Sequence, residues 1–218
     1  HVSSRRQRQM CIRDSDRILL TSRRFPCSGG ASFLSEQLNE CPVHVHKEGQ
    51  SSLETGDFFT TWANRFDSDM PALAAEVVND KEVFPLGNGQ VCAISLPGHC
   101  SDNMVYHIPE KNLVIAGLLI PRADRPTRWD MPTGCLPDIV NSLRTLRGLK
   151  PETIIPLQGP AIKGRKHVID VITRHLEFFE ACIDNDGAVP KSWLRPAQTA
   201  LWLTPNPPWP LEEKEETN

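Results

Sequence analysis

Apolar positions change their spacing several times along the chain, and each change marks an element. Residues 17–21 (RILLT) form a short apolar run suited to a buried strand. Past a loop closing on Gly29 and Gly30, Phe33, Leu34 and Leu38 recur at helical spacing and predict a helix over 31–39. Residues 42–46 (PVHVH) alternate as a strand. An aromatic patch follows (Phe58, Phe59, Trp62, Phe66), and Pro71, well placed for a first helical turn, opens an expected helix over 71–78. Three strand-like segments come next, 90–96, 104–108 and 112–120. The last two are joined by Pro109-Glu110-Lys111, a tight connection of the kind that links antiparallel neighbours. Ile139, Val140, Leu143 and Leu146 stripe a helix over 136–147, and 153–156 reads as a short strand. The longest helix, 165–183, is expected to bury Val168, Ile169, Ile172, Leu176, Phe179 and Cys182. This order suits a layered α/β protein with mixed sheet pairing and no internal repeat.

The two ends break the pattern. Residues 1–14 show no usable periodicity and resemble translated adapter sequence from the ends of assembled contigs. The folded domain is therefore expected over 16–187, with 1–15 foreign or a disordered basic arm. Residues 188–211, rich in Pro and carrying Trp193, Trp202 and Trp209, read as an extended strap covering apolar surface. Residues 212–218 form an acidic tail.

Composition narrows the classes further. A chain of 218 residues, 39% apolar and 23% charged, can build one sizeable core. Its net charge of −3 gives no reason to expect a nucleic-acid or membrane surface. No run approaches the roughly 18–20 apolar residues that cross a bilayer. The seven cysteines include no CxxC pair, which favours free thiols in a reducing compartment and a cytoplasmic address.

Three segments, in order, resemble the metallo-β-lactamase superfamily. ISLPGHCSDNMVYHIP (94–109) is similar to the family's strand ending in Pro-Gly-His, NLVIAGLLI (112–120) to the next strand, which there ends in Gly-Asp, and IIPLQGP (154–160) to the late Pro-Gly-His-Gly-Pro loop. Upstream, ILLTSRRFPCSGG (18–30) sits where the family has a His-x-His-x-Asp-His loop, and PVHVH follows at the right distance. The resemblance implies an αββα sandwich with mixed sheets, here lacking the first strands of its N-terminal half.

The departures carry the functional expectation. Ser22, Arg24, Pro26 and Cys27 stand where the family has His, His, Asp and His. Leu118 follows Gly117 in place of the bridging Asp, and Gln158 replaces the late His, so only His99 is kept. A catalytic zinc needs about three protein ligands and an open position. A guanidinium beside a cation repels it, and an aliphatic side chain offers no donor. The resemblance thus implies a degenerate, non-catalytic member. No cofactor is expected, although zinc is the family's metal and His99 its one surviving ligand. Ser22, Arg23, Arg24, Cys27, His99 and Gln158 are expected to converge on the old cleft, where an arginine among neutral donors could take a small anionic molecule. The alternative is a hydrolase of a small ester or thioester with a remodelled metal site, and a third reading is an interaction module docking through the Trp-rich strap. His44 and His46 share one face of a strand and read as an edge or surface pair. His99 reads as a loop histidine holding the turn before Ser101 and Asp102. His107, His167 and His175 show no partner pattern. Cys100 beside His99 lacks the base and orienting group of a thiol nucleophile.

Overall fold

The computed structural model describes residues 15–192; the basic segment 1–14, the Trp-bearing part of the expected strap and the acidic tail lie outside the described residues. Two sheets face each other. The N-terminal sheet is parallel throughout, in the order β1 (Ile18–Leu19), β2 (Val43–His46), β3 (Ala75–Val78). The C-terminal sheet has six strands in sequence order, β4 (Val83–Leu86), β5 (Gly89–Ser95), β6 (Met104–Ile108), β7 (Leu113–Gly117), β8 (Thr153–Pro156) and β9 (Ile162–Lys163). Among the described residues its only parallel pair is β7 with β8, because α4 (Leu136–Gly148) lies between them and returns the chain in the same direction.

The short α1 (Phe25–Ser28), α2 (Ala31–Gln37) and α3 (Lys47–Glu54) belong to the first half, and α5 (Arg165–Asp184) closes the second. Val78 and Leu19 from the first sheet pack with Phe84, Ala93, Met104 and Tyr106 from the second, forming the layer between the sheets. The largest apolar cluster lies on the far side of the second sheet, where Ile139, Leu143 and Leu146 of α4 meet Ile172, Phe178 and Phe179 of α5. The layers therefore run helix, sheet, sheet, helix, as expected.

Both long helices form where the apolar stripe places them, and Pro137 enters α4 in its first turn, where its missing N–H costs nothing. Elsewhere the structure corrects the sequence reading. Residues 71–78 do not form a helix. The β-branched pair Val77-Val78 extends as β3 beside β2, while Leu73 N–H donates to Leu53 O and the Gln50 amide holds Ala75 O. The 31–39 helix is shorter than expected, and its apolar spacing misleads. Phe33 and Leu34 are exposed, and the helix buries Ala31 and Ser35 instead. β1 covers only two residues, because Leu20 O is taken by the Tyr106 hydroxyl and Thr21 O by the Met104 amide. The 112–120 strand stops at Gly117, whose φ is +49° and whose added Cβ would lie 2.7 Å from Thr21; Leu118–Ile120 turn away, fully buried. β4 and β9 were not anticipated. β4 tolerates Pro85 because it is an edge strand, and it turns into β5 at Gly87-Asn88.

Candidate functional site

The chain leaves β1 and, within five residues, carries Ser22, Arg23 and Arg24 into the interior, all nearly inaccessible to solvent. Burying two guanidinium groups is costly unless each finds a partner. Asp102, fully buried in the loop between β5 and β6, supplies one for Arg23. Its Oδ2 accepts from the Arg23 amide at 2.6 Å and from Ser22 Oγ at 3.0 Å, and its Oδ1 lies 3.5 Å from Arg23 Nη1. Arg23 Nη1 also donates to Glu48 O at 2.6 Å, the second residue of α3. Gly49 allows that approach: a Cβ there would sit 3.2 Å from both Asp102 Oδ2 and Arg23 Cβ and 2.9 Å from Val45.

Arg24 points the other way. Nη1 donates to Thr60 O at 2.9 Å and Nη2 to Pro132 O at 2.6 Å, while the guanidinium plane lies 4.5 Å over the Trp62 ring. Burial lowers its pKa, opposed by Cys100 and Asp102. Cys100 Sγ is 3.3 Å from Ser22 Oγ, and burial pushes its thiol well above the ordinary range. His99 sits beside this cluster, with Nδ1 at 3.1 Å from both Arg128 O and Thr127 Oγ1. Burial first, and then the charge of Arg24, push its pKa down to about 3. The ring is neutral at any physiological pH.

The fold that carries this cluster recurs in solved structures. A protein crystallised in a di-iron-bound form is 26% identical, with 71% of this chain matched to 74% of that one at a TM-score of 0.58. A metallo-β-lactamase family protein from Thermus thermophilus is 19% identical over 80% of this chain and 65% of its own, at a TM-score of 0.59. A subclass B3 metallo-β-lactamase of Bradyrhizobium japonicum is 16% identical over 80% of this chain and 74% of its own, at a TM-score of 0.61. The chain has the metallo-β-lactamase fold. No family model and no curated protein matches the sequence.

Of the positions that the sequence resemblance sets against metal ligands, Ser22, Arg24 and His99 lie in one electrostatic neighbourhood around Asp102. Cys27 borders it. Its thiol is pushed up to about 12 by burial, with a hydrogen bond to Thr21 acting against that shift and Asp102 adding to it. Leu118 lies fully buried directly after Gly117, the residue that touches Thr21. Gln158 does not join them. It is exposed just past the end of β8, and its backbone amide donates to Pro121 O. As a donor set for the family's metal these residues do not fit. Arg24 is a cation, Leu118 has no lone pair and Cys27 holds its proton, which leaves the single imidazole of His99. Among the described residues no three His, Cys, Asp or Glu side chains gather into a metal-binding group.

The other histidines also change place. His44 and His46 are not a surface pair, because β2 is the central strand and both rings are buried. His44 packs edge-on against Phe84, 3.6 Å from Glu76 Oε2, and His46 Nδ1 caps α3 by accepting from the Glu48 amide. His99 is a hydrogen-bonded loop histidine, as expected, and it ties the turn before Ser101 and Asp102 to Thr127 and Arg128. Reading the sequence missed the partners that complete the site. Asp102, Thr60, Trp62 and Pro132 lie far apart in sequence, and only the tight glycine at 49 and the polar Ser-Asp-Asn run after Cys100 hinted at a buried polar centre.

Proposed function

We propose that the chain is a non-catalytic protein of metallo-β-lactamase fold whose former active-site cleft is filled by its own charged side chains and works without metal. The observation that supports this is Arg24. At the position that the sequence resemblance sets against a metal-ligating histidine, it places a permanent cation between two protein carbonyls and an indole face. A complete zinc site is worth roughly 10–16 kcal/mol. An even quarter share for the lone imidazole is about 3–4 kcal/mol, which corresponds to millimolar binding at best.

The same geometry weighs against the small-anion reading. The terminal nitrogens of both arginines already donate to Thr60 O, Pro132 O, Glu48 O and Thr133 Oγ1, so an incoming carboxylate or phosphate would have to displace them. The activity of this protein then lies in its surface and shape and not in hydrolysis.

Metal analysis of the full-length protein, produced with added zinc, iron and manganese, tests this. Metal far below one ion per chain, with no hydrolysis of small ester or thioester substrates, is expected. A stoichiometric metal that leaves together with such an activity on chelation would overturn the reading in favour of a remodelled hydrolase site.

A further inference from the structure

Arg24 reaches two segments that no strand or helix joins. Thr60 O is 36 residues away in sequence and Pro132 O is 108, and one guanidinium holds both. The first segment is strained. Trp62, the residue under the guanidinium, has φ 68°, a left-handed conformation that is an outlier for so bulky a side chain. Strain of this kind persists only where the surroundings over-determine it. Here those surroundings are the Arg24 stack, the Arg24 bond to Thr60 and the bond from the Phe25 amide to Thr61 O at 2.8 Å.

The second segment, residues 128–134, is held from the same side. Arg23 Nη2 reaches Thr133 Oγ1 at 3.4 Å, and Arg128 O meets His99. Arg23 faces the Asp102 carboxylate, while the Arg24 guanidinium is met by the carbonyl oxygens of Thr60 and Pro132, as a bound cation would be. The Nε atoms of Arg23 and Arg24 are buried without a hydrogen-bond partner, so the terminal nitrogens carry the attachment.

We propose that Arg24, backed by Arg23, is a built-in structural cation that clamps residues 57–62 and 128–134 together across the old cleft. This rests on the reading that the site holds no metal, and it goes further by giving the replacement residue a task. The clamp needs both terminal nitrogens and the flat face at once. A lysine in its place keeps the charge but can hold at most one segment.

Amide hydrogen exchange on the full chain tests the clamp, comparing Arg24→Leu and Arg24→Lys with the parent. In Arg24→Leu, peptides covering 57–66 and 128–135 are expected to exchange about tenfold faster or more, in step, while α5 keeps its protection. Millimolar methylguanidinium is expected to restore both segments in that variant and to leave the parent unchanged. If Arg24→Leu does not fold, Arg24→Lys is read instead, with accelerated exchange expected in at least one of the two segments. Parent-like protection of both segments in either variant, or loss spread evenly through α5, overturns the clamp. Metal content reports on the other reading separately. Stoichiometric metal with loosened segments in Arg24→Leu would sink the proposed function and leave the clamp standing, and metal-poor protein with unmoved segments would do the reverse.

Discussion

The two halves of this molecule bury themselves by different means. Behind the six-stranded sheet, α4 and α5 close on a core that is apolar almost throughout, with Phe178 and Phe179 at right angles to each other and Trp129 against both. At the end of β1 the buried side chains are Ser22, Arg23, Arg24, Ser28, Asp102 and the imidazoles of β2. The first region is held by area removed from water, which does not depend on which apolar neighbour is met. The second is held by individual donors and acceptors, each of which leaves a costly orphan if its partner is lost. An apolar core tolerates exchange among its members, whereas a polar core of this kind does not.

The largest effect should come from removing the shared carboxylate. Asp102→Ala strands the buried Arg23 guanidinium together with the Arg23 amide and the Ser22 hydroxyl, and a loss of about 3–5 kcal/mol is expected in denaturant unfolding. A loss under about 1 kcal/mol would mean that the polar region does not need its charge balance. Phe179→Ala breaks the other half, by about 3–4 kcal/mol through lost burial and the cavity left behind. Its effect should be nearly the same at low and high salt, because no charge is involved.

Acid sharpens the contrast from inside the apolar half. His175 is buried on α5 with no hydrogen bond of good geometry, and its pKa is pushed down to about 4, chiefly by burial. Arg174 adds to that depression, while the Ala123 backbone and Asp124 oppose it. Because the folded value lies below the ordinary 6.5, the unfolded chain takes the proton first. The stability is whole above about pH 6.5 and is lost as pH falls from there toward 4, by about 3 kcal/mol for this one ring. His175→Phe should flatten that part of the pH–stability curve, and an unchanged acid limb would show that other groups set it. The smallest effect is expected at Gly49→Ala, where the new methyl presses on Val45 and the Asp102 carboxylate. About 1–2 kcal/mol of destabilisation is expected by thermal unfolding, and none if α3 can shift.

Much of the second half could be read directly. The apolar stripes of α4 and α5, the Pro109–Lys111 connection and the strand at Thr153–Pro156 all fall where periodicity places them, because each buries one face against whatever apolar surface it meets. The first half was read less well for a physical reason. Residues 71–78 have a plausible helix start and become a strand because β2 offers a parallel partner. Phe33 and Leu34 look like a core face and stand in solvent.

The residues that the resemblance sets against metal ligands were visible in the chain as it is written, since identity alone tells that Arg24 is always charged and Leu118 has no lone pair to donate. Their surroundings were not. Whether Arg24 opens toward a ligand or is tied to Thr60, Trp62 and Pro132 depends on contacts across tens of residues. Local spacing encodes which face of an element is apolar. It carries no information on which distant carbonyl or carboxylate a buried donor will reach, and that pairing is set when the layers pack.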